Sequence, residues 1–442
     1  MTYQCQNCGY ISKKWLGKCP DCNQWNTFVE DERNVKIKSV KSGRPAASLT
    51  SIGITRNKRI STKFSDFDRV LGGGIVSGQV ILIGGNPGIG KSTLITQVLN
   101  NLSGKDEKGI YLTAEESPAQ VKIRTNRLSI HNENIYILPE NNITAAIEEI
   151  KKIKPKYVVV DSIQTVYSET SASIPGSISQ IKECASILID YAKLNEIALF
   201  LIGHVTKEGA IAGPKVLEHM VDTVLYFESD TSTDFRIIRS LKNRFGKVNG
   251  IAIFEMTANG LKEIIDPTNL FIESRKERNI GSVISPLVDG NKIFLIEVQA
   301  LVSNSSCSMP RRNAQGFDQN RMNLLITVIE KILDIHLYNN DVFINIPGAI
   351  KVVDPAVDLA VVVAVISSFL NKELDPNIAF FGEVGLNGEV RKALSWKERI
   401  METMRMGFKT VVTPMLNSEE VNFEKIKILP IDSINNIPYF IN

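Results

Sequence analysis

Residues 80–93 read VILIGGNPGIGKST, and this stretch decides the fold of the chain. From Gly85 to Ser92 it fills every fixed position of the phosphate-binding pattern G-x-x-x-x-G-K-[ST]. The apolar run before the loop is typical of a buried strand, and a helical pattern begins at Ser92. The stretch therefore predicts a strand, a phosphate-binding loop and a helix, in that order.

The loop predicts a site for ATP with Mg²⁺. Glycines let backbone N–H groups turn toward phosphate oxygens, and the positive end of the following helix adds to the attraction. Lys91 is expected to reach the β- and γ-phosphates, and the Ser92 hydroxyl to ligate Mg²⁺. The alternative is a chance glycine-rich turn, which the strand–loop–helix context disfavours. The expected nucleotide-binding residues of this stretch are Gly85, Asn86, Pro87, Gly88, Ile89, Gly90, Lys91, Ser92 and Thr93.

A carboxylate follows the apolar run 157–160. Asp161 is expected at the tip of a strand beside the phosphate loop, where it would hold Mg²⁺ directly or through water. Asp161-Ser162 also suits the N-cap of a helix, and that alternative stays open. The pattern favours the metal role, because a phosphate loop requires an acidic partner for its metal.

Two glutamates follow the predicted strand 109–113, which is expected to neighbour the phosphate-loop strand. A carboxylate at this place could activate the attacking water. One of the pair could equally cap the next helix. Spacing does not separate Glu115 from Glu116, and Glu115 is the preferred catalytic candidate.

Short apolar runs alternate with helical patterns over residues 64–269. This alternation predicts an α/β domain with a mostly parallel sheet and helices on both faces. Beyond Asp266-Pro267 the pattern resets, and a second α/β unit is expected. In the first domain, strands are expected at 80–83, 110–113, 157–160, 198–202 and 223–227, with helices at 92–102 and 178–194.

Length, composition and charge narrow the class of protein. At 442 residues the chain is too long for one core, so two or three domains are expected. The formal net charge of +3 is too small to predict nucleic-acid binding by itself. The N-terminus lacks the apolar segment of a secretory signal, and no apolar run is long enough to span a membrane. We therefore expect a cytoplasmic protein without a membrane span.

Four of the six cysteines lie within the first 22 residues, as two CxxC pairs. Each pair presents two thiolates to one tetrahedral ion, which predicts a structural zinc site. The ion would supply the folding energy of a module too small for an apolar core. A redox dithiol is the alternative, but it would normally have one CxxC next to a βαβ pattern. The expected Zn²⁺ ligands are Cys5, Cys8, Cys19 and Cys22.

Three further motifs point to a family: GHVTKEG at 203–209, AGPKVLEH at 212–219 and KNRFG at 242–246. With them, the whole chain resembles the bacterial RadA (Sms) family of DNA repair proteins. The resemblance implies an α/β fold with a C4 zinc finger, a RecA-like P-loop ATPase core and a C-terminal α/β domain like the proteolytic domain of Lon. The expected domains are a zinc finger at 1–30, a basic linker at 31–61, the ATPase at 62–270 and the Lon-like domain at 271–442.

The KNRFG motif offers two cations, Lys242 and Arg244, beside a glycine turn. Most such pairs are solvated surface charges. In ring-forming RecA-like ATPases, however, a neighbouring subunit often donates Lys or Arg to the γ-phosphate, as an arginine finger does. The resemblance favours this catalytic role, with DNA contact as a second duty. His204 is expected to sense the γ-phosphate, although a lone histidine at the end of a central strand is otherwise a core residue.

Ala356 falls where active Lon proteases have the nucleophilic serine, and Lys397 lies near the place of the partner lysine. A lysine without its nucleophile cannot cleave peptides. The resemblance therefore implies a proteolytically inactive domain with a structural, oligomerising or DNA-binding role. The basic residues Arg311, Arg312 and Arg321 are compatible with DNA, but short basic pairs are usually solvated surface.

The resemblance implies a DNA-dependent ATPase of recombinational DNA repair. It would promote branch migration of recombination intermediates, bind single-stranded and branched DNA, and work beside a strand-exchange recombinase as a hexameric homo-oligomer. The alternatives are a strand-exchange recombinase proper, an ATP-dependent protease or its regulator, and a non-catalytic ATP-gated scaffold. Ala356 argues against the protease, and the zinc finger and Lon-like domain argue against the recombinase.

Overall fold

The structure is a computed structural model, and it describes most of the chain. The described residues are 2–5, 10–20, 24–31, 59–169, 174, 176–203, 216–228, 234–248, 250–266, 268, 280–306, 309–347, 351–416, 423 and 425–441. Contacts divide the chain into two compact units, 1–229 with 234–264, and 230–233 with 265–442. The domain bounds given above stay predictions.

A small antiparallel sheet forms the N-terminal segment. Its strands are β1 (Thr2–Cys5), β2 (Ile11–Ser12) and β3 (Phe28–Asp31), in the order β2-β1-β3. Cys5 and Cys19 are fully buried in one cluster with Phe28. This cluster is too small to stabilise a domain by apolar burial alone.

A nine-stranded sheet forms the centre of the first unit. Its order is β12-β11-β10-β9-β4-β8-β7-β5-β6, and the six strands from β9 to β6 are parallel. The strands are β4 (Val80–Gly85), β5 (Gly109–Thr113), β6 (Ile135–Leu138), β7 (Tyr157–Asp161), β8 (Ala198–Ile202), β9 (Thr223–Glu228), β10 (Phe235–Asn243), β11 (Ile251–Thr257) and β12 (Gly260–Glu263). The predicted mostly parallel sheet is confirmed.

Helices cover both faces of this sheet. Since successive strand residues point to opposite faces, Ile81 and Ile83 pack in one apolar layer and Val80 and Leu82 in the other. Helix α2 belongs to the first layer, and helices α4 and α5 belong to the second. The helices are α1 (Ser65–Val70), α2 (Lys91–Leu102), α3 (Pro118–Arg127), α4 (Ile143–Ile153) and α5 (Ile178–Leu194).

The lateral position of β5 differs from the sequence-based expectation. The expectation that β5 neighbours the phosphate-loop strand is wrong, because β4 lies between β8 and β9, and β5 pairs with β6 and β7. Strand β8 likewise separates β4 from β7, the strand that ends at Asp161. Buried parallel strands share the same continuous apolar pattern, so the sequence predicts that they exist but not their order.

The second unit is built on a seven-stranded mixed sheet, in the order β15-β16-β14-β13-β17-β20-β21. The predicted second α/β unit is confirmed. The strands of this sheet are β13 (Ser282–Asp289), β14 (Lys292–Asn304), β15 (Arg312–Gln315), β16 (Asn340–Asn345), β17 (Ile378–Phe380), β20 (Thr410–Pro414) and β21 (Lys427–Ile431). Strands β18 (Glu383–Val384) and β19 (Val390–Arg391) pair in a separate two-stranded sheet. The helices of the unit are α6 (Gln319–Leu333), α7 (Asp358–Leu370) and α8 (Trp396–Arg405), with short 3₁₀ helices at Pro355–Val357 and Ile434–Phe440.

Candidate active site

The phosphate loop joins the carboxyl end of β4 to the start of α2. Gly90 is the N-cap residue of α2 and has a φ of +113°, a backbone conformation that residues other than glycine rarely adopt. Gly88 has φ of +74°, and a Cβ built there would meet no atom within 4 Å. Packing alone therefore does not demand glycine at 88; its positive φ does, and the open space beside it leaves room for a phosphate.

Lys91 lies over this loop and is buried. Its Nζ donates hydrogen bonds to the carbonyl oxygens of Gly85, at 2.7 Å, and of Asn86, at 2.8 Å. These two carbonyls hold the ammonium group above the loop, where a triphosphate would lie. The residue that the sequence assigns to the phosphates is thus positioned by the backbone of its own loop.

The charge of Lys91 connects three of the predicted site residues. Burial lowers the pKa of Lys91 to about 8, while the negative charges of Asp161 and Glu115 oppose this shift. Two carboxylates and one ammonium therefore share the carboxyl end of the sheet, although they lie at or after the ends of three different strands. This end is where ligands bind in open α/β sheets.

The two glutamates after β5 have different partners. Glu115 accepts a short hydrogen bond from the hydroxyl of Ser162 and interacts with the charge of Lys91. Glu116 forms an ion pair with Arg124, with 2.6 Å between Oε2 and the guanidinium. Of the two, Glu115 is the carboxylate placed beside the phosphate loop.

Asp161 ends β7 and is buried with 7% of its surface exposed. Its Oδ2 accepts a short hydrogen bond from the hydroxyl of Tyr111, which in turn accepts a hydrogen bond from Arg124 at 2.9 Å. Burial, followed by the charge of Asp161, raises the pKa of Tyr111 well above its usual value, so the phenol keeps its proton. The N-cap alternative for Asp161 finds no support, since no described helix begins there.

Lys242 and Arg244 lie away from the phosphate loop, toward the beginning of β4. Strand β9 runs parallel to β4 with Val224 opposite Leu82, and β10 runs antiparallel to β9 with Lys242 opposite Val224. The KNRFG motif therefore lies beside the beginning of β4, whereas the phosphate loop follows its end at Gly85. Along the strand direction the offset from Lys242 to Gly85 is three residues, or about 10 Å.

Both cations have partners within their own chain. Lys242 Nζ donates to the carbonyl oxygens of Glu218, at 2.6 Å, and Val221, at 2.9 Å, and burial lowers the pKa of this lysine. Arg244 pairs with Asp222 at 3.3 Å while 55% of its side chain is exposed. The structure does not bring either residue to the phosphate loop of the same chain.

Asn243 and Gly246 of the KNRFG motif stabilise the structure of the loop. The amide of Asn243 donates to the carbonyl of Val70 at 3.1 Å, and its side-chain oxygen accepts from the backbone of Phe245 at 2.9 Å. A Cβ on Gly246 would lie 2.5 Å from Gly72 Cα, so only glycine fits this contact. These bonds fix the loop that carries Lys242 and Arg244.

Arg236 also contacts the phosphate loop, and sequence reasoning missed it. Its Nε donates to the carbonyl oxygen of Ile89 at 3.0 Å. Arg236 lies near the start of β10, whose other end carries Lys242. Arg236 belongs to no sequence motif. It reaches the phosphate loop because β10 pairs antiparallel with β9, which places the start of β10 beside the carboxyl end of the parallel strands.

The two described cysteines of the N-terminal segment make equivalent backbone hydrogen bonds. The backbone N–H of Cys5 donates to Tyr10 and that of Cys19 to Gln24, both at 2.9 Å and both spanning five residues. Two buried, clustered thiols with matching backbone hydrogen bonds fit half of a tetrahedral Cys₄ site. Among the residues with described positions no group of three potential metal ligands occurs, and Cys8 and Cys22 lie outside that set. His204 also lies outside the described residues.

In the second unit, Ala356 lies in the short 3₁₀ helix just before α7 and is buried. The cation that binds this turn is Arg399, whose guanidinium contacts Asp354 Oδ2 at 2.6 Å. Lys397 Nζ lies 5.3 Å from the centre of the Trp396 ring. Arg399 was not singled out from the sequence, because a lone arginine on a helix gives no signal of burial.

Two of the three arginines considered for DNA contact are neutralised within the second unit. Arg311 pairs with Asp341 at 2.6 Å, and Arg321 forms a short ion pair with the buried Asp358. Burial raises the pKa of Asp358, but Arg321 opposes that shift. These pairs speak against a strip of unpaired positive charge at this place.

Fold and site together define a P-loop ATPase. Residues 60–138 match the KaiC family of ATPases, residues 3–30 the rubredoxin metal binding domain family, and residues 326–437 the C-terminal proteolytic domain of Lon protease (S16). Within the described ranges, no helix is long and apolar enough to cross a membrane.

Relatives then identify the family. The DNA repair protein RadA of Bacillus subtilis (strain 168) is 45% identical over 421 residues, covering 93% of this chain and 92% of that one. That of Listeria monocytogenes is 43% identical over 438 residues, covering 98% and 96%. That of Chlamydia muridarum is 44% identical over 417 residues, covering 93% and 91%. The chain belongs to the bacterial RadA family of DNA repair proteins and carries its ATPase domain.

Proposed function

We propose that this protein is a DNA-dependent ATPase of recombinational repair that processes branched intermediates and drives branch migration as a ring-shaped motor. The observation that carries the proposal is the meeting of Lys91, Asp161 and Glu115 at the carboxyl edge of a P-loop sheet. Two carboxylates beside a phosphate-binding lysine supply the groups needed for a metal-assisted attack of water on a γ-phosphate.

Each residue has a distinct role in hydrolysis. Lys91 neutralises charge on the β- and γ-phosphates, and the loop amides from Gly85 to Thr93 cradle them. Ser92 and Asp161 would hold Mg²⁺, which supplies charge neutralisation at the phosphates when it is bound. Glu115 orients the attacking water and accepts its proton.

Lys242 and Arg244 complete the site of a neighbouring subunit. Their place toward the beginning of β4, away from their own phosphate loop, supports action on a neighbour. Since Lys242 Nζ is bound to carbonyl oxygens of its own chain, its ammonium must leave them when subunits assemble. A closed ring, which we take to be hexameric, would place these residues beside each neighbour's γ-phosphate.

DNA is the partner that family membership supports. The protein would contact phosphates of single-stranded and branched DNA, so binding would weaken strongly with salt. It would act beside a strand-exchange recombinase in the cytoplasm. His204 would sense the γ-phosphate, and Cys5, Cys8, Cys19 and Cys22 would hold a structural Zn²⁺ that folds the N-terminal module.

We further propose that the Lon-like domain has no protease activity. Ala356 supplies no nucleophile, and the nearby Arg399 is bound to Asp354. An arginine stays protonated and cannot act as a general base. Degradation of casein by the purified protein, lost in Lys91→Ala, would favour the protease alternative.

Branch migration of a synthetic four-way junction tests the proposed function. The wild type should convert the junction to products only with ATP and Mg²⁺, and Asp161→Asn should abolish conversion while it still binds metal-free ADP. Robust pairing of homologous strands by this protein alone would favour a recombinase. Junction conversion by Asp161→Asn at the wild-type rate would contradict the assigned hydrolytic centre.

A further inference from the structure

We propose that Tyr111 is a positioning residue that sets the orientation of the Asp161 carboxylate for the metal; this rests on the proposed metal role of Asp161. Tyr111 lies in the middle of β5, one strand from β7, and is 1% exposed. Its hydroxyl donates to Asp161 Oδ2 across the two strands. Tyr111 lies opposite Val159, two residues before Asp161, so its buried side chain extends along the sheet to reach the carboxylate at the carboxyl end of β7.

Arg124 fixes the direction of this hydrogen bond. It donates to the Tyr111 oxygen at 2.9 Å, so the hydroxyl accepts from the guanidinium and its own proton points to Asp161. The guanidinium carbon also lies 5.3 Å from the centre of the Tyr111 ring, within the range of a cation–π contact.

Arg124 is itself anchored from the helix that follows the two glutamates. Its other nitrogen pairs with Glu116 at 2.6 Å, and only 10% of its side chain is exposed. Glu116, the second glutamate after β5, therefore has a positioning role. It binds Arg124, which in turn orients the hydroxyl of Tyr111.

The consequence for Asp161 is a carboxylate with one oxygen engaged. An O–H donor to a buried carboxylate makes one of the stronger hydrogen bonds in proteins. The hydrogen bond from Tyr111 engages Oδ2 and restricts rotation of the carboxylate. In the proposed site, Oδ1 would then be the oxygen that ligates the metal. Supporting groups of this kind typically change metal affinity or activity by about 10- to 100-fold when they are removed.

Tyr157 offers a matched control in the same sheet. It is 1% exposed on β7, and its hydroxyl donates to the carboxylate of Glu107 at 2.9 Å. Tyr157 is the first residue of β7, and Asp161 is the last, so the two lie at opposite ends of the same strand. Tyr157→Phe therefore removes the same kind of bond from the same sheet without touching the site.

The test is the affinity of the ADP complex for Mn²⁺, measured by electron paramagnetic resonance. Tyr111→Phe should weaken Mn²⁺ binding by about 10-fold or more and lower kcat, with the affinity for metal-free ADP unchanged. Tyr157→Phe should match the wild type in Mn²⁺ affinity, in kcat and in the affinity for metal-free ADP. Arg124→Met, which leaves the ring in place, should give a smaller loss of Mn²⁺ affinity than Tyr111→Phe and serves if that variant does not fold.

The outcomes separate this inference from the proposed function. Wild-type Mn²⁺ affinity in Tyr111→Phe or, failing that, in Arg124→Met overturns the positioning role, as does an equal loss in Tyr157→Phe. Asp161→Asn serves as the reference. If it weakens Mn²⁺ binding while Tyr111→Phe does not, only the inference fails; if Asp161→Asn binds Mn²⁺ as the wild type does, the metal role itself fails.

Discussion

At the scale of single residues, we expect the pKa of Lys91 to depend on whether a nucleotide is bound in the phosphate loop. Burial lowers its pKa to about 8, whereas a lysine in an unfolded chain titrates near 10.4. The buried charge therefore costs folding free energy below about pH 8, and this cost disappears as the pH rises toward 10.4. A bound phosphate has the reverse effect, because it favours the ammonium form.

Nucleotide binding above pH 8 should consequently take up protons. At about pH 9, above this pKa, the empty loop holds largely neutral Lys91, and metal-free ADP should draw in protons. Isothermal titration calorimetry in two buffers of different ionisation enthalpy measures this uptake. Lys91→Arg, whose side chain stays charged, should take up none. A binding enthalpy for the wild type that does not depend on the buffer would contradict the low pKa.

The glutamates after β5 should separate in kinetics. Glu115→Gln should lower kcat for ATP hydrolysis by about 100-fold or more, because an amide cannot accept the proton of the attacking water. Nucleotide affinity should stay close to that of the wild type. Glu116→Gln keeps an oxygen acceptor for Arg124 and should retain most of the activity. Equal losses in the two variants would argue against Glu115 as the base.

At the scale of elements, local patterns predicted what lies close in sequence. Helix α5 begins and ends where its apolar spacing indicates, and the phosphate loop follows β4 as expected. These features depend on turn chemistry and periodicity within a few residues. Only the strands and helices with a strong apolar pattern were predicted in this way.

Features that join distant segments could not be predicted from the sequence. The contact of Tyr111 with Asp161 spans 50 residues, and that of Arg399 with Asp354 spans 45. Both depend on the lateral order of strands and on helix packing, which similar apolar patterns leave undetermined. The site was therefore predicted as a set of loops, and its supporting side chains were not.

The buried pair of Arg399 and Asp354 should be essential to the second unit. Both side chains are largely buried, and burial lowers the pKa of this arginine. Arg399→Met would leave the carboxylate unpaired, which typically costs about 3–5 kcal/mol. Arg405→Met breaks ion pairs with Glu402 and Asp266, but 55% of the Arg405 side chain is exposed, so the change should cost about 1 kcal/mol or less.

Urea unfolding followed by the fluorescence of Trp396 measures this difference. Replacing Trp15 and Trp25 by Phe in all variants leaves Trp396 as the reporter, because the chain has three tryptophans. Equal unfolding midpoints for Arg399→Met and Arg405→Met would show that the buried pair does not stabilise the unit.

At the scale of the whole molecule, a shared site makes mixed oligomers informative. Lys91→Ala subunits lack a working phosphate loop, and Lys242→Ala subunits lack the cation given to a neighbour. When the two variants are mixed, some interfaces should join an intact loop to an intact Lys242. The mixture should hydrolyse ATP faster than either variant alone. If Lys242 acted only within its own chain, mixing would restore nothing.

The decisive measurement for a DNA-dependent motor is the rate of ATP hydrolysis with and without single-stranded DNA. We expect DNA to raise the rate several-fold in the wild type, added salt to remove the increase, and Lys242→Ala to abolish it. A rate that DNA leaves unchanged, together with a Lys242→Ala variant equal to the wild type, would contradict a DNA-dependent motor.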